Sequence, residues 1–415
     1  MPRLAVNRID PAGDVHAHKP LPSRKSPSHP LLKAFAQAEY GHLTVRTPEG
    51  LSYHFEGRKN GPVADLQLHS WKTLDWLLAR GEIGFAEAYM DKMWDSANLP
   101  SLLSYGLVNA DSLERYFYGR PVYALWVRVV SMLRSNSIGG SRRNIKQHYD
   151  LGNAFYALWL DKSMTYSCGL FGGDRSLTLE EAQAAKYRRI LDKLEAKAGD
   201  HILEIGCGWG GFAETAARRC IRVTAITVSQ EQADYAQARM HDAGLDGLVS
   251  ICLTDYRKIE GVFDHVVSIG MFEHVGEQYW PTYFQTVKAR LKPGGKAMVQ
   301  SITIDAGVFE RTHGKNGFIE TYIFPGGVLP SKPVFRKAAE KAGLQCREMF
   351  AFGHDYSITT GKWLERFNAR EKEVRLMGYD ESFLRMWRMY LSCCMAAFDT
   401  ERTEVMQAEL THGGL

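Results

Sequence analysis

Cysteine spacing of the kind that builds a scaffold is missing from this sequence. The seven cysteines are odd in number and scattered, none forms a CxxC pair, and Cys393 and Cys394 are simply adjacent. A disulfide framework and a zinc site are thereby excluded as organising elements, and no metal is expected. Long apolar runs are missing too: none approaches the roughly 18 residues that cross a bilayer, and the first residues lack a signal-peptide core. The expected location is the cytoplasm, with the inner face of the membrane touched only at its surface. A strong charge of one sign is also lacking, since 51 Lys and Arg against 47 Asp and Glu leave only +4, which gives no ground for nucleic-acid binding.

Acid is absent altogether from one stretch. Between Glu114 and Asp150 stand Arg115, Arg120, Arg128, Arg134, Arg142, Arg143 and Lys146, interleaved with Tyr118, Trp126, Val129 and Leu133. Such a segment suits an anionic membrane surface, to which each basic side chain contributes about 1 kcal/mol. A helix packed on a neighbouring domain with solvated arginines fits the same composition.

What is present is globular: 45% hydrophobic and 24% charged residues over 415 positions, a length that predicts two domains. Residues 1–30, rich in Pro, Ser, His and Lys, read as a mobile tail. Residues 31–110 read as a smaller α+β N-terminal domain, with a hairpin of alternating strands (42–47 and 51–55) around Pro48-Glu-Gly, then helices near 71–80 and 84–90. Residues 111–143 form the basic amphipathic connector, loosened by Gly139-Gly140-Ser141. From 144 to 415 short apolar runs (202–205, 223–228, 249–253, 263–269, 297–302) alternate with helical patterns, which predicts an α/β unit with a mainly parallel sheet flanked by helices. Its site belongs beyond the carboxyl ends of the strands.

The sharpest motif is His201-Ile-Leu-Glu-Ile-Gly-Cys-Gly-Trp-Gly-Gly, a strand entering a glycine loop and then a helix. Glycines at 206, 208 and 211 let the backbone approach a ligand closely. A nicotinamide enzyme would usually end the next strand with an acid for the ribose hydroxyls, but here it ends Ile226-Thr-Val-Ser-Gln-Glu-Gln. Ser229 and Gln232 have capping-box spacing. The third strand ends Thr254-Asp255-Tyr256, an acid and an aromatic ring suited to an adenine, although the strand pattern alone favours a surface-filling aromatic at Tyr256.

Several strings together resemble the cyclopropane fatty acid synthase family: Gln147-His-Tyr-Asp-Leu-Gly-Asn, Met164-Thr-Tyr-Ser-Cys, Leu203-Glu-Ile-Gly-Cys-Gly-Trp-Gly-Gly, Ser268-Ile-Gly-Met-Phe-Glu-His-Val-Gly, Ile323-Phe-Pro-Gly-Gly and Trp363-Leu-Glu-Arg-Phe. The segment from Leu77 to Met90 resembles the N-terminal domain of the family's phospholipid branch. The resemblance implies a class I (Rossmann-like) methyltransferase fold acting on unsaturated phospholipid acyl chains; a homodimer stays open. It implies an S-adenosylmethionine site lined by Tyr166, Ser167, Gly206, Gly208, Thr227, Gln232 and Tyr256, with Glu204 where the family more often has Asp, and Asp255 beside Tyr256. It also implies a bicarbonate base held by Cys168, Glu273, the Ile302 backbone and Tyr356. The family's His-Thr-Ile is Gln300-Ser301-Ile302 here, so an amide that cannot carry charge replaces a histidine, and weaker bicarbonate binding is expected. A family cysteine sometimes assigned to catalysis matches Cys394, which an apolar helical context reads as core.

An isolated alkene is a weak nucleophile, so positioning must supply most of the rate. Methyl transfer leaves a carbocation, which calls for a dry pocket with aromatic faces, for which Phe272, Tyr279, Tyr283, Tyr322 and Tyr356 are candidates and Tyr283 reads better as core. Ring closure needs a base, and Glu273 lies just past the strand 263–269. Cys168 needs no covalent role. A methylene or methyl-branched product, and a non-catalytic lipid-binding protein, are the rival expectations.

Overall fold

The computed structural model describes residues 5–8, 29–113 and 151–413. Nearly all of the basic connector, the 147–150 string and most of the expected tail lie outside the described residues. Contacts divide the chain into two units, Met1–Tyr149 with Val374–Thr400 and Asp150–Glu373 with Glu401–Leu415.

The first unit carries five strands, β1 (Ala5–Arg8), β2 (Tyr40–Arg46), β3 (Leu51–Glu56), β4 (Lys59–Leu68) and β5 (Trp94–Asp95), in the order β1-β3-β2-β4-β5. The hairpin expected around Pro48 is present as antiparallel β2 and β3. Alternation puts Leu43, Val45, Tyr53 and Phe55 inside. Four residues of the expected tail are a strand instead: β1 pairs antiparallel with β3, because the hairpin leaves the hydrogen-bonding groups of that edge open. The two expected helices are both present within Lys72–Met90, separated where Gly81 leaves helical geometry with a positive φ of 59°. The helix Leu99–Val108 starts at Asn98, whose side chain accepts from the Ser101 N–H at 3.1 Å.

The helix Glu381–Asp399 also belongs to this unit, which corrects the expectation of an unbroken catalytic unit from 144 to 415. The physical reason is a buried cation. Arg385 donates to the carbonyls of Tyr89 and Trp94 and to Asp95 (2.7 Å), and its guanidinium lies 3.8 Å from the centre of the Tyr89 ring. These partners satisfy a charge that could not otherwise be buried.

The second unit is a seven-stranded sheet of β6 (His201–Ile205), β7 (Arg222–Thr227), β8 (Val249–Leu253), β9 (Phe263–Ile269), β10 (Leu291–Ile304), β11 (Leu344–Ala351) and β12 (Thr403–His412). The order is β11-β12-β10-β9-β6-β7-β8, parallel from β10 to β8, with β12 antiparallel to both neighbours. Leu203, Ile205, Val266, Ala297 and Val299 point into one core with the helices Trp280–Arg290 and Lys332–Lys341. Ile202, Val223, Val267 and Met298 point into another with the helices Leu179–Leu194 and Gly211–Ala217. Burial on both faces explains why these strands read as continuous apolar runs. Among the described residues no helix is long and apolar enough to cross a membrane.

Candidate functional site

The glycine loop leaves β6 and enters the helix Gly211–Ala217. Gly206, Gly208 and Gly210 all have positive φ (83°, 53° and 82°), a conformation that side-chain-bearing residues rarely adopt. A Cβ on Gly206 would sit 3.0 Å from Met271, whereas one on Gly208 would meet nothing within 4 Å. Gly208 therefore borders open space, as a ligand cradle requires. Gly211 has a different reason to lack a side chain, since a Cβ there would lie 2.9 Å from the Tyr187 hydroxyl.

At the end of β7 the Thr227 hydroxyl donates to Gln232 Oε1 (2.8 Å) and accepts from the Ser229 N–H (3.1 Å). Ser229 caps the helix Gln230–Asp242, but the Gln232 side chain is engaged by Thr227, so only half of the expected capping box forms. Asp255 is clamped by Arg257, which donates from its backbone N, Nε and Nη2, and this holds the Asp255 carboxyl below its ordinary range. Tyr256 is buried edge-on against Tyr283 (5.7 Å), which settles it as a packed residue and not a surface aromatic.

Beneath the Met164–Cys168 string lies a buried cation that the sequence reading missed. Lys186 is fully buried, and its Nζ donates to Ser167 Oγ (2.7 Å) and Gln183 Oε1 (2.6 Å), while Gln183 Nε2 donates to the Ser167 carbonyl (2.8 Å). Burial pushes the Lys186 ammonium down to about 7. Burial likewise pushes Glu204 well up, with Lys186 and Arg239 opposing it, and among the described residues Glu204 Oε2 has no partner. The signal was available in Gln183 and Lys186, three apart on the inner face of an otherwise amphipathic helix.

On the other side of the sheet's carboxyl edge Glu273 sits in the turn Phe272–His274. Its carboxylate accepts the Ile302 N–H at 2.5 Å, so the amide expected to hold bicarbonate is engaged by Glu273 itself. The backbone carbonyl of Glu273 accepts from Val328 N (2.9 Å), which ties the turn to the Ile323-Phe-Pro-Gly-Gly loop. Burial pushes the Glu273 carboxyl up to about 7, opposed by the Ile302 N–H, and its Oε2 has no partner among the described residues. Cys168, fully buried, packs with Val405, Phe352 and Tyr356, and Val405 lies opposite Ile302 in the β10–β12 register. Burial raises the Cys168 thiol well above its ordinary range, which keeps it protonated and fits a packing role.

Gln300 is buried, and its Oε1 accepts from Gln407 Nε2 at 3.0 Å. Cys394 lies on the helix Glu381–Asp399 of the first unit, so the structure does not group it with Glu273 and Cys168 in one unit.

The aromatic wall differs from the expected one. Phe272 and Tyr283 are fully buried in the core beneath the helix Trp280–Arg290, Tyr322 is buried against Phe318, and Tyr279 is exposed. The rings that gather around Tyr166 are Tyr156 (5.5 Å), Trp159 (5.4 Å), Trp363 (5.3 Å) and Phe324 (6.4 Å), with Tyr356 6.0 Å from Trp363. Tyr156 and Trp159, three apart, carry the helical spacing that marks one face.

A family model described as mycolic acid cyclopropane synthetase matches residues 138–408. The tuberculostearic acid methyltransferase UfaA1 of Mycobacterium tuberculosis is 35% identical over 80% of this chain and 80% of its own length. The cyclopropane-fatty-acyl-phospholipid synthase of Escherichia coli K12 is 36% identical over 84% of this chain and 88% of its own. Among solved structures, the mycolic acid cyclopropane synthase CmaA1 complexed with SAH and CTAB superposes with a TM-score of 0.60 at 29% identity, covering 65% of this chain and 97% of that one. With a glycine cradle open at Gly208, an acid on the strand before it and a buried carboxylate across the sheet edge, the chain belongs to the cyclopropane fatty acid synthase family of S-adenosylmethionine-dependent methyltransferases.

Proposed function

We propose that this enzyme adds the methyl carbon of S-adenosylmethionine to the double bond of an unsaturated acyl chain in a membrane phospholipid and closes a cyclopropane ring. When bound, the cofactor supplies an electrophilic methyl group. Gly206 and Gly208, with Tyr166, Ser167, Glu204, Thr227, Gln232, Asp255 and Tyr256, form its cradle. The rings of Tyr166, Trp363 and Tyr356 offer π faces to a cation and exclude water. The observation that carries the reading is Glu273, buried at the sheet's carboxyl edge with one oxygen fixed by the Ile302 N–H and the other unpartnered. A carboxylate so placed orients a bicarbonate, or itself takes the proton that leaves the added methyl as the ring bond forms. Cys168 and Tyr356 close the same pocket.

Phospholipid is favoured over a free mycolic chain because the E. coli phospholipid synthase matches 84% of this chain, first unit included, whereas the cyclopropane mycolic acid synthase 3 of M. tuberculosis matches 64%. The anionic inner face of the membrane is the proposed surface, engaged through the basic segment 115–149. A second reading, a methylene or methyl-branched product, is favoured by Gln300 at the family's histidine and by the similarity to the tuberculostearic acid methyltransferase. Purified enzyme, labelled cofactor and vesicles of cis-unsaturated phospholipid test both. A ring of one added methylene supports the first, a branched chain replaces it with the second, and no acyl product from a folded, cofactor-binding enzyme refutes both.

A further inference from the structure

We propose that Arg189 and Gln407 are positioning residues that lock the Gln300 amide with its NH2, and not its carbonyl, turned to the base site. The proposal rests on the reading above in which bicarbonate is held beside Glu273.

A guanidinium only donates, so whatever it bonds must accept. Arg189 Nη1 donates to Gln407 Oε1 at 2.5 Å, and that contact fixes which end of the Gln407 amide is oxygen. The other end, Nε2, donates to Gln300 Oε1 at 3.0 Å. Gln300 therefore spends its carbonyl on Gln407 and keeps its NH2 for the opposite direction. The relay has a firm anchor, because Arg189 Nη2 also donates to Glu348 Oε1 (2.9 Å) and its guanidinium lies 3.8 Å from the centre of the Phe350 ring.

Register places the amide beside the base. Gln300 lies opposite Gln407, and Ile302 opposite Val405, so all four side chains leave the same face of the β10–β12 ladder. Val405 packs on Cys168 and its neighbour Tyr356, and the Ile302 N–H is the donor taken by Glu273. Gln300 thus stands one pleat below the base site on the face that Cys168 covers. With both glutamines buried, the amide's orientation has large electrostatic weight, since an anion meets N–H groups in one orientation and a carbonyl in the other. The departure from histidine gains a partner in this way. An imidazolium at 300 would set its own donors against the NH2 of Gln407, whereas an amide matches it.

The variant Gln407→Glu tests the lock with almost no change of shape. The introduced carboxylate still accepts from Arg189 but cannot donate, so Gln300 must turn its NH2 toward it and present its carbonyl to the base site. In CO2-depleted buffer the bicarbonate concentration giving half-maximal turnover is expected to rise at least tenfold, with the Kd for S-adenosylmethionine, by titration calorimetry, within twofold of wild type. Adding Gln300→His to that variant is expected to move the half-saturation back toward wild type, because an imidazolium donates to the introduced carboxylate and to the anion together. Unchanged half-saturation in Gln407→Glu overturns the relay while leaving the bicarbonate reading intact. A wild-type enzyme indifferent to bicarbonate overturns both. Should Gln407→Glu lose cofactor binding, Arg189→Met decides: it frees Gln407 to flip, and a rise of threefold or more with normal cofactor affinity supports the lock, whereas no rise refutes it.

Discussion

Replacing Glu273 by Gln is expected to stabilise the protein at alkaline pH while removing its activity. The carboxyl is pushed by burial from an ordinary value of 4.5 up to about 7. At about 1.4 kcal/mol per pH unit, that displacement corresponds to about 3 kcal/mol. The folded state holds a proton that the unfolded chain has already lost between pH 4.5 and 7, so this group's contribution falls as pH rises through that window and is flat above it. An amide has no such penalty, but its hydrogen bond with the Ile302 N–H loses its charge assistance, at a cost of about 1 kcal/mol. The variant should match wild type near pH 5 and exceed it by about 2 kcal/mol at pH 8, a gain in Tm on the order of 5 °C. Scanning calorimetry at the two pH values reads the difference, calorimetric titration checks that cofactor affinity is kept, and turnover on phospholipid vesicles should fall by about 100-fold or more. A Tm difference that is the same at pH 5 and pH 8 would refute the argument that burial disfavours the ionised form. Undiminished turnover would remove Glu273 from the chemistry.

Gly208→Val should abolish S-adenosylmethionine binding in a folded protein, since the branched side chain takes both the cradle space and a φ it does not tolerate; unchanged affinity by titration would place the cofactor elsewhere. Arg385→Met should lower stability by about 2–3 kcal/mol, because the Tyr89 and Trp94 carbonyls lose their donors, yet leave cofactor affinity alone; loss of affinity with unchanged Tm would contradict it. Neutralising Arg142, Arg143 and Lys146 together should weaken flotation with anionic vesicles and reduce its salt dependence, and equal flotation would exclude that segment as the lipid contact.

The sheet was legible where its strands are central and mostly buried, as with 263–269, which coincides with β9 to the residue, and the edge strand β8 matches 249–253 through its apolar run alone. What escaped lies at the edges and across long separations. β11 and β12 carry Arg347, Glu348, Glu404 and Gln407 among their apolar residues, and their pairing depends on a partner strand more than 50 positions away. The glycine loop and Glu273 were readable from local strings, as was the aromatic-rich stretch around Trp363. Lys186 was missed despite its place on the same helix face as Gln183, since a lysine on a helix normally marks solvent, and only the polar groups of Ser167 and Gln183 make its burial tolerable. Tyr283 is core, as its context suggested, whereas Phe272 as a pocket ring failed, because an aromatic beside such a string is as useful for packing the floor as for lining the wall.

The helix Glu381–Asp399 has a consequence for biosynthesis. It leaves the ribosome some 270 residues after Asp111, so at about 5–20 residues per second the first unit waits roughly 15–50 s for the arginine that closes its core. The last of the described strands to emerge, β12, is also the one that joins β11 to β10. Neither unit can be completed from its N-terminal portion alone. A nascent chain of this enzyme therefore carries two unfinished hydrophobic surfaces until residues 381–412 appear, and a stop codon before Glu381 disables both units at once, whereas one between Thr400 and Thr403 spares the first.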